Sequence, residues 1–308
     1  MVKRLRLSEG RLIDADSTNG QVHVYINPDE SERRYLIDTL KLDEHTLNSA
    51  LDPDELSRLE FEPDHMAVIY KRPKNYSSED EFLFRVGSTG LFLFKDKLIL
   101  VLAEEALLFD GKQFARVNSL QEIALKLIYR SIIHFLDHLK VVNAVSNALE
   151  NKINTSMENR YLLNMFTLEK SLVYYLNAIN TNGKVIERLK LSGGKLELGQ
   201  ENLEFLDDML IENSQCYEQA EIYSNILASM MDARVSIVSN NLNLLMKTLN
   251  IITIGIMVPT LVVSTFSMNV EFPIRSHPYA FWLILMMACF SVLSVVIFFW
   301  WYNRSGRR

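Results

Sequence analysis

The sequence predicts an α+β soluble domain of α/β-sandwich type, joined by one very long stalk helix to two transmembrane helices at the C-terminal end. Three observations carry this reading. Ahead of the long apolar stretches at the C-terminal end, short runs rich in β-branched and aromatic residues fall in the first 118 residues or so. From Leu120 no proline occurs until Pro259, and apolar residues recur at helical spacing. Beyond Met246 lie two uncharged stretches, each long enough to cross a hydrocarbon core of about 30 Å.

In the first segment, 1–118, Val22-His-Val-Tyr-Ile, Met66-Ala-Val-Ile-Tyr, Leu91-Phe-Leu-Phe and Lys97-Leu-Ile-Leu-Val-Leu read as strands. The last two are joined by a tight turn at Lys95-Asp96, and Ser31 to Leu40 and His45 to Leu51 read as short helices. Residues 119–199 form a helical region, with Leu120, Ile123, Leu127, Ile128 and Ile132 marking one apolar face. Its one clear break is Leu191-Ser-Gly-Gly-Lys, a turn between antiparallel helices. The stalk helix, 200–266, would be nearly 100 Å long at about 1.5 Å per residue and continues into the first span at about 248–266. A helix of that length rarely stands alone, so it is expected to line an oligomer axis.

Thr248 to Val270 is 23 residues without a charge and Tyr279 to Tyr302 is 24, with eight residues between them. The segments that follow from this are an outer loop at 267–278, a second span at 279–302 and a basic tail at 303–308. Tyr279 and Trp282 at one end of the second span, and Trp300, Trp301 and Tyr302 at the other, fit interfacial anchoring. Arg304, Arg307 and Arg308 outweigh the loop's Arg275, which places both termini and the body in the cytoplasm. Met1-Val-Lys-Arg-Leu-Arg-Leu-Ser has no apolar stretch behind its basic residues, so it does not read as a signal peptide.

The net charge of −6 divides into −10 on the first 245 residues and +4 on the remainder. An acidic body excludes a typical nucleic-acid binder. The two cysteines, Cys216 and Cys289, do not make a disulfide framework. No phosphate loop, nucleophile elbow or zinc-finger spacing is present, and Gly87-Ser-Thr-Gly lacks the lysine of a P-loop, so neither an enzyme nor a bound cofactor is expected.

One line along the first span differs from its surroundings: Asn243, Met246, Asn250, Thr253, Met257, Thr260, Ser264 and Ser267, spaced alternately three and four apart. Six of the eight can hydrogen-bond. A polar seam in a bilayer faces either a water-filled path or a neighbouring helix. Its length and two asparagines favour a pore, and since two spans cannot enclose one, several copies must surround it. With no carboxylate on the seam, a cation would be held by neutral oxygens with part of its water shell, which suits Mg²⁺.

The run Asp232-x-x-x-Ser236-x-Val238-Ser239-Asn240-x-x-Asn243-x-x-Met246-Lys247-x-Leu249, continuing through Pro259-Thr260 to Ser267-Met268-Asn269, resembles the CorA family of divalent-cation channels. The resemblance implies a homopentamer in the cell's inner (plasma) membrane, with a central pore lined by the first span. It implies transport of Mg²⁺, often also Co²⁺ or Ni²⁺, with a related ZntB-like branch carrying Zn²⁺. By position, Ser267, Met268 and Asn269 form the ion filter, with Asn269 ringing a hydrated cation. Asn243 and Thr260 match polar pore rings, and Met246, Leu249 and Met257 match an apolar constriction that gates by dewetting.

Two departures stand out. The family signature is Gly-Met-Asn, whereas Ser267 stands at the glycine position, which implies a differently shaped filter loop. In metal-gated members an acid on the N-terminal domain pairs across subunits with one near the stalk base. Asp232 matches the stalk partner, but the other side aligns with Leu47-Asn48-Ser49, leaving Asp52 or Asp54 as substitutes and weak metal feedback as the expectation. Of the remaining clusters, His134 and His138 read as a helix surface pair without a third ligand. Glu201, Glu204, Asp207, Asp208 and Glu212 read equally as a cation-concentrating patch or a solvated face. A Zn²⁺ transporter and a non-conducting membrane-anchored scaffold remain as rivals to the Mg²⁺ channel.

Overall fold

The computed structural model describes residues 2–15, 20–76, 82–155, 159–269 and 278–305. It divides into two compact units, Met1–Met231 and Asp232–Arg308.

The first unit is built on a seven-stranded sheet: β1 Val2–Ser8, β2 Arg11–Asp14, β3 Val22–Ile26, β4 Arg58–Phe61, β5 His65–Pro73, β6 Val86–Phe94 and β7 Leu98–Leu102, in the order β2-β1-β3-β7-β6-β5-β4. Only β3 and β7 pair in parallel; the other neighbours are antiparallel. Strand alternation divides the apolar residues between two layers. Leu98, Leu100 and Leu102 of β7, with Met66, Val68 and Tyr70 of β5, join one core. Ile99 and Val101, with Ala67 and Ile69, join the other. Helices cover both faces, so β5 and β7 are buried along their whole lengths, and Met66–Tyr70 and Leu98–Leu102 read as continuous apolar runs.

The thinner layer contains α1 (Glu30–Arg34), a π turn (Tyr35–Thr39) and α2 (Glu44–Leu51). Asp29 caps α1 by accepting from the Glu32 N–H while Glu32 returns the bond to the Asp29 N–H, and Asp43 caps α2 through the Thr46 N–H. α2 lies tight on β6: a Cβ at Gly90 would come within 2.5 Å of the Ala50 Cβ, so only glycine fits there.

The thicker layer contains α3 (Leu120–Thr155), α4 (Asn159–Leu191) and the first part of α5 (Gln200–Phe266). α3 and α4 lie side by side, His138 of one meeting Tyr175 of the other, so the helical region reverses direction before the Leu191-Ser-Gly-Gly turn, and neither proline nor glycine marks this reversal. Asn182 of α4, fully buried, extends the sheet where β4 has ended. Its Oδ1 accepts from the Lys71 backbone N–H at 2.8 Å and from the Ser57 hydroxyl at 2.8 Å, while its Nδ2 donates to the Lys71 carbonyl at 2.8 Å. One amide side chain thus satisfies both backbone groups of a residue that has lost its neighbouring strand.

The second unit contains the rest of α5 and α6 (Ala280–Ser305). Both helices are long and apolar enough to cross a membrane; the most apolar window of α5 is 0% buried and that of α6 only 6%. So much exposed apolar surface is incompatible with water and requires lipid or protein against it. Most of the loop expected at 267–278, with its Arg275, and the tail's Arg307 and Arg308 lie outside the described residues.

Candidate pore-lining seam, filter residues and acidic turn

Asn243, Met246, Leu249, Asn250, Thr253, Met257, Thr260 and Ser264 are all exposed on α5. An α-helix places residues three and four apart on one side, so the seam is a continuous line, and among the described residues of the second unit none covers it. Thr253 donates its hydroxyl to the Leu249 carbonyl at 2.8 Å, and Thr260 to the Ile256 carbonyl at 2.6 Å. With each proton turned back into the helix, the hydroxyl oxygen presents its lone pairs outward as an acceptor. Thr248 and Thr265, off the seam, make the same back-bond, so it reflects threonine in a helix rather than marking the seam.

Pro259 sits inside α5. Having no N–H, it leaves the Gly255 carbonyl without its usual donor one turn back. The helix ends at Phe266, and Ser267 closes the last turn: its N–H donates to the Ser264 carbonyl at 3.2 Å and its hydroxyl to the same carbonyl at 2.8 Å. Ser267 is not among the positive-φ residues, so the backbone here does not need the left-handed freedom of glycine. Met268 and Asn269 follow, both exposed.

Asp232 is exposed on α5 in the second unit, and Asp52 and Asp54 are exposed in the first. The Asp52–Asp54 turn already has a cation beneath it. The Lys71 ammonium, on a residue only 4% exposed, donates to the Pro53 carbonyl at 2.9 Å and to the Ser88 hydroxyl at 2.7 Å. Burial pushes the Lys71 pKa down to about 8, opposed by the nearby charges of Asp52, Asp54 and Glu55. Asp52 Oδ1 also accepts from the Asp54 N–H at 2.9 Å, and Ser88 donates to the Asp52 carbonyl. Lys71, which carries no motif, is the residue that sequence reasoning missed in this turn.

The histidine pair does not stand out on the helix surface: His134 is half-buried and His138 buried. His138 shares a 2.6 Å hydrogen bond with the Tyr175 hydroxyl, and its ring meets that of His134 edge-on at 4.4 Å. Burial holds both imidazoles near a pKa of about 4, so they are neutral at ordinary pH. α3 carries them inward because their spacing of four matches the apolar face that includes Phe135 and Leu139. Of the stalk acids, Asp207 pairs with Lys190, Glu212 accepts from the Tyr129 hydroxyl at 3.0 Å and Glu204 from Gln200 at 3.0 Å. No cluster of three or more metal-ligating side chains occurs among the described residues.

A folded α/β body and a helix that carries an oxygen-bearing seam into an uncovered apolar segment define a membrane protein of the transporter class. The family profile described as "CorA-like Mg2+ transporter protein" matches residues 22–307, and the chain belongs to that family. A curated relative, the "Cobalt/magnesium transport protein CorA" of Methanocaldococcus jannaschii, is 23% identical over 295 residues, covering 91% of this chain and 89% of its own. The solved structure of the complete CorA magnesium transporter from that organism superposes with a TM-score of 0.81 at 19% identity, covering 97% of this chain and 96% of that one. The full-length CmaX protein gives a TM-score of 0.71 at 16% identity, over 100% of this chain and 97% of its own. The ZntB cytoplasmic domain from Vibrio parahaemolyticus gives 0.61 at 15%, over 77% of this chain and 98% of its own.

Proposed function

We propose that the chain is a divalent-cation channel of the CorA type that works as a homopentamer, with Mg²⁺ as its principal ion and Co²⁺ or Ni²⁺ as further cargo. The observation that carries this reading is the seam: an unbroken line of neutral oxygen donors and methionines on a helix whose apolar window is unburied in the single chain. Copies packed around an axis would turn that line inward and give the rest of the helix to lipid and to α6.

In this reading Asn269 of each copy presents a side-chain oxygen to a cation that keeps its water, and Ser267 and Met268 set the position of that ring. The ion then descends past Ser264, Thr260, Thr253, Asn250 and Asn243, exchanging hydrogen bonds between its water shell and neutral oxygens. No carboxylate binds it tightly enough to stop it. Met257, Leu249 and Met246 form the apolar constriction, which is closed when dry and conducts when wetted. The termini lie in the cytoplasm of a plasma (inner) membrane, following the basic residues that flank the spans.

Metal feedback through Asp232 and Asp52 or Asp54 is weak, because Lys71 already supplies a positive charge to that turn. The Ser267 backbone, which needs no glycine, favours a conducting channel over a scaffold. The fold likeness to ZntB supports Zn²⁺ as the second candidate ion.

The test is ion flux into liposomes holding the purified protein. Mg²⁺ should pass down its gradient, Asn269→Ala should abolish the flux, and competition with Zn²⁺ ranks the two ions. A folded pentamer that passes no divalent ion overturns the proposal, and flux appearing only in Ser267→Gly identifies the scaffold.

A further inference from the structure

A cavity of about 130 Å³ opens on the first unit between the end of β5 and the middle of α3, far from the seam in sequence. Arg72 enters it from the strand, Arg130 and His134 from successive turns of the helix, and Asn75 stands exposed among the lining residues. No acidic side chain is among the described residues that line it. Its floor is apolar, with Leu127 and Leu108 both buried.

The charges here are under-compensated. The Arg72 side chain is only 6% exposed, yet its Nε has no hydrogen-bond partner. Its Nη1 reaches only the Pro73 carbonyl at 3.3 Å, and its Nη2 the Glu104 carbonyl at 3.4 Å. The one carboxylate near it, on Glu104, stands 3.8 Å from Nη2 and is closer to Lys74, at 3.1 Å. The Arg130 side chain, half-buried, makes no hydrogen bond or ion pair among the described residues. The field is felt at His134, where Arg130 and Arg72 add to burial and to His138 in lowering the ring's pKa to about 4, against Asp137 alone.

A buried guanidinium without a well-placed acceptor is costly, and guanidinium N–H groups match the oxygens of an oxyanion. We propose that this cavity is a binding site for a small tetrahedral oxyanion of the phosphate type, held between Arg72 on one side and Arg130 and His134 on the other. Donors converge from a strand and from a helix, which suits a tetrahedral group better than a planar carboxylate. Ser131 also lines the cavity, but its hydroxyl already donates to the Ile128 carbonyl at 2.6 Å, so it offers the ligand only an acceptor for a protonated oxygen. The volume far exceeds the roughly 10–15 Å³ that one water needs, leaving room for the anion and residual waters. The oxygens have two possible sources, free phosphate or the phosphate of a small organic ester whose carbon part lies on the leucine floor.

The proposal concerns the first unit and does not depend on the transport reading, because binding is measured without flux. Full-length protein in detergent at low ionic strength would be titrated calorimetrically with inorganic phosphate, glycerol 3-phosphate and acetate. The expected result is saturable binding of a phosphate species at one site per chain, weakened at least tenfold in Arg130→Gln, with acetate much weaker. Because the Arg130 side chain makes no hydrogen bond or ion pair among the described residues, that variant should keep the wild-type circular dichroism. Stronger binding of phosphate supports the free ion, and stronger binding of glycerol 3-phosphate supports the ester. Failure of both to bind, equal binding by acetate, or unchanged affinity in folded Arg130→Gln overturns the proposal.

Discussion

Replacing Asn182 with alanine tests whether one amide side chain terminates the sheet. The substitution removes the acceptor for the Lys71 N–H and for the Ser57 hydroxyl, and the donor to the Lys71 carbonyl, each bond 2.8 Å long. Ser57 also lies 3.1 Å from the Thr181 hydroxyl and can turn to it, so its loss is small. Lys71 has no such alternative on that side, because β4 begins at Arg58, which pairs with Ile69. Two buried backbone groups would be left unsatisfied at about 1–3 kcal/mol each. A water admitted to the vacated space would recover part of this, so the expected net cost is about 2–4 kcal/mol. Hydrogen exchange read on a peptide spanning β5 should then show the Lys71 amide opening about 30- to 1,000-fold more readily. The Lys71 ammonium anchors the Asp52–Asp54 turn, so that turn should also lose protection. Wild-type exchange throughout β5 in Asn182→Ala, with an unchanged melting temperature, would refute the reasoning.

Two further outcomes follow from the body. His134 and His138 have folded-state pKa values of about 4, below the ordinary 6.5, so the unfolded chain binds more protons between these limits. Stability should be complete above about pH 6.5 and fall as the pH drops toward 4; a denaturant midpoint followed across that window checks it, and His138→Phe should flatten the slope. At Gly90, alanine should cost about 1–3 kcal/mol by driving its methyl into Ala50, and Ala50→Gly in the same chain should recover much of that loss in thermal melts.

How far the sequence reached depended on whether a residue's role was local. The strands around Val22, Met66, Leu91 and Leu98 are legible because burial on both faces leaves them continuously apolar. β1, β2 and β4 are not singled out, since they carry charges on an exposed face. A signal was nonetheless present: Leu5 and Leu7 alternate with Arg4 and Arg6, and the turn that follows places Glu9 and Gly10 at φ 51° and 75°, as a tight hairpin requires. The reversal between α3 and α4 is marked in the sequence by neither glycine nor proline, the strongest of the breaker signals.

The seam is readable because its periodicity is a property of one helix. Lys71 beneath the acidic turn, Asn182 beside β5 and the arginines around the cavity are juxtaposed by segments 17 to 111 residues apart. No local pattern records such meetings. The histidine pair was misjudged for the same reason: on α3 alone the rings could face either way, and only the packing of Tyr175 and Phe84 against them decides it.

The Asn182 cap also governs what the sheet can meet. An open edge beside β5 would offer the Lys71 N–H and carbonyl to any passing strand. In the proposed homopentamer several identical sheets would stand at high local concentration, where strand-to-strand recruitment between copies would compete with correct assembly. By filling those two positions with a side chain from its own helix, the chain keeps that end of β5 from pairing with another strand, and the rest of this edge is β4, only four residues long. At the opposite edge β2 is only four residues long and carries Arg11 and Asp14, a poor template for a neighbour. Edges this short and this charged leave little backbone free to recruit a strand from a second copy.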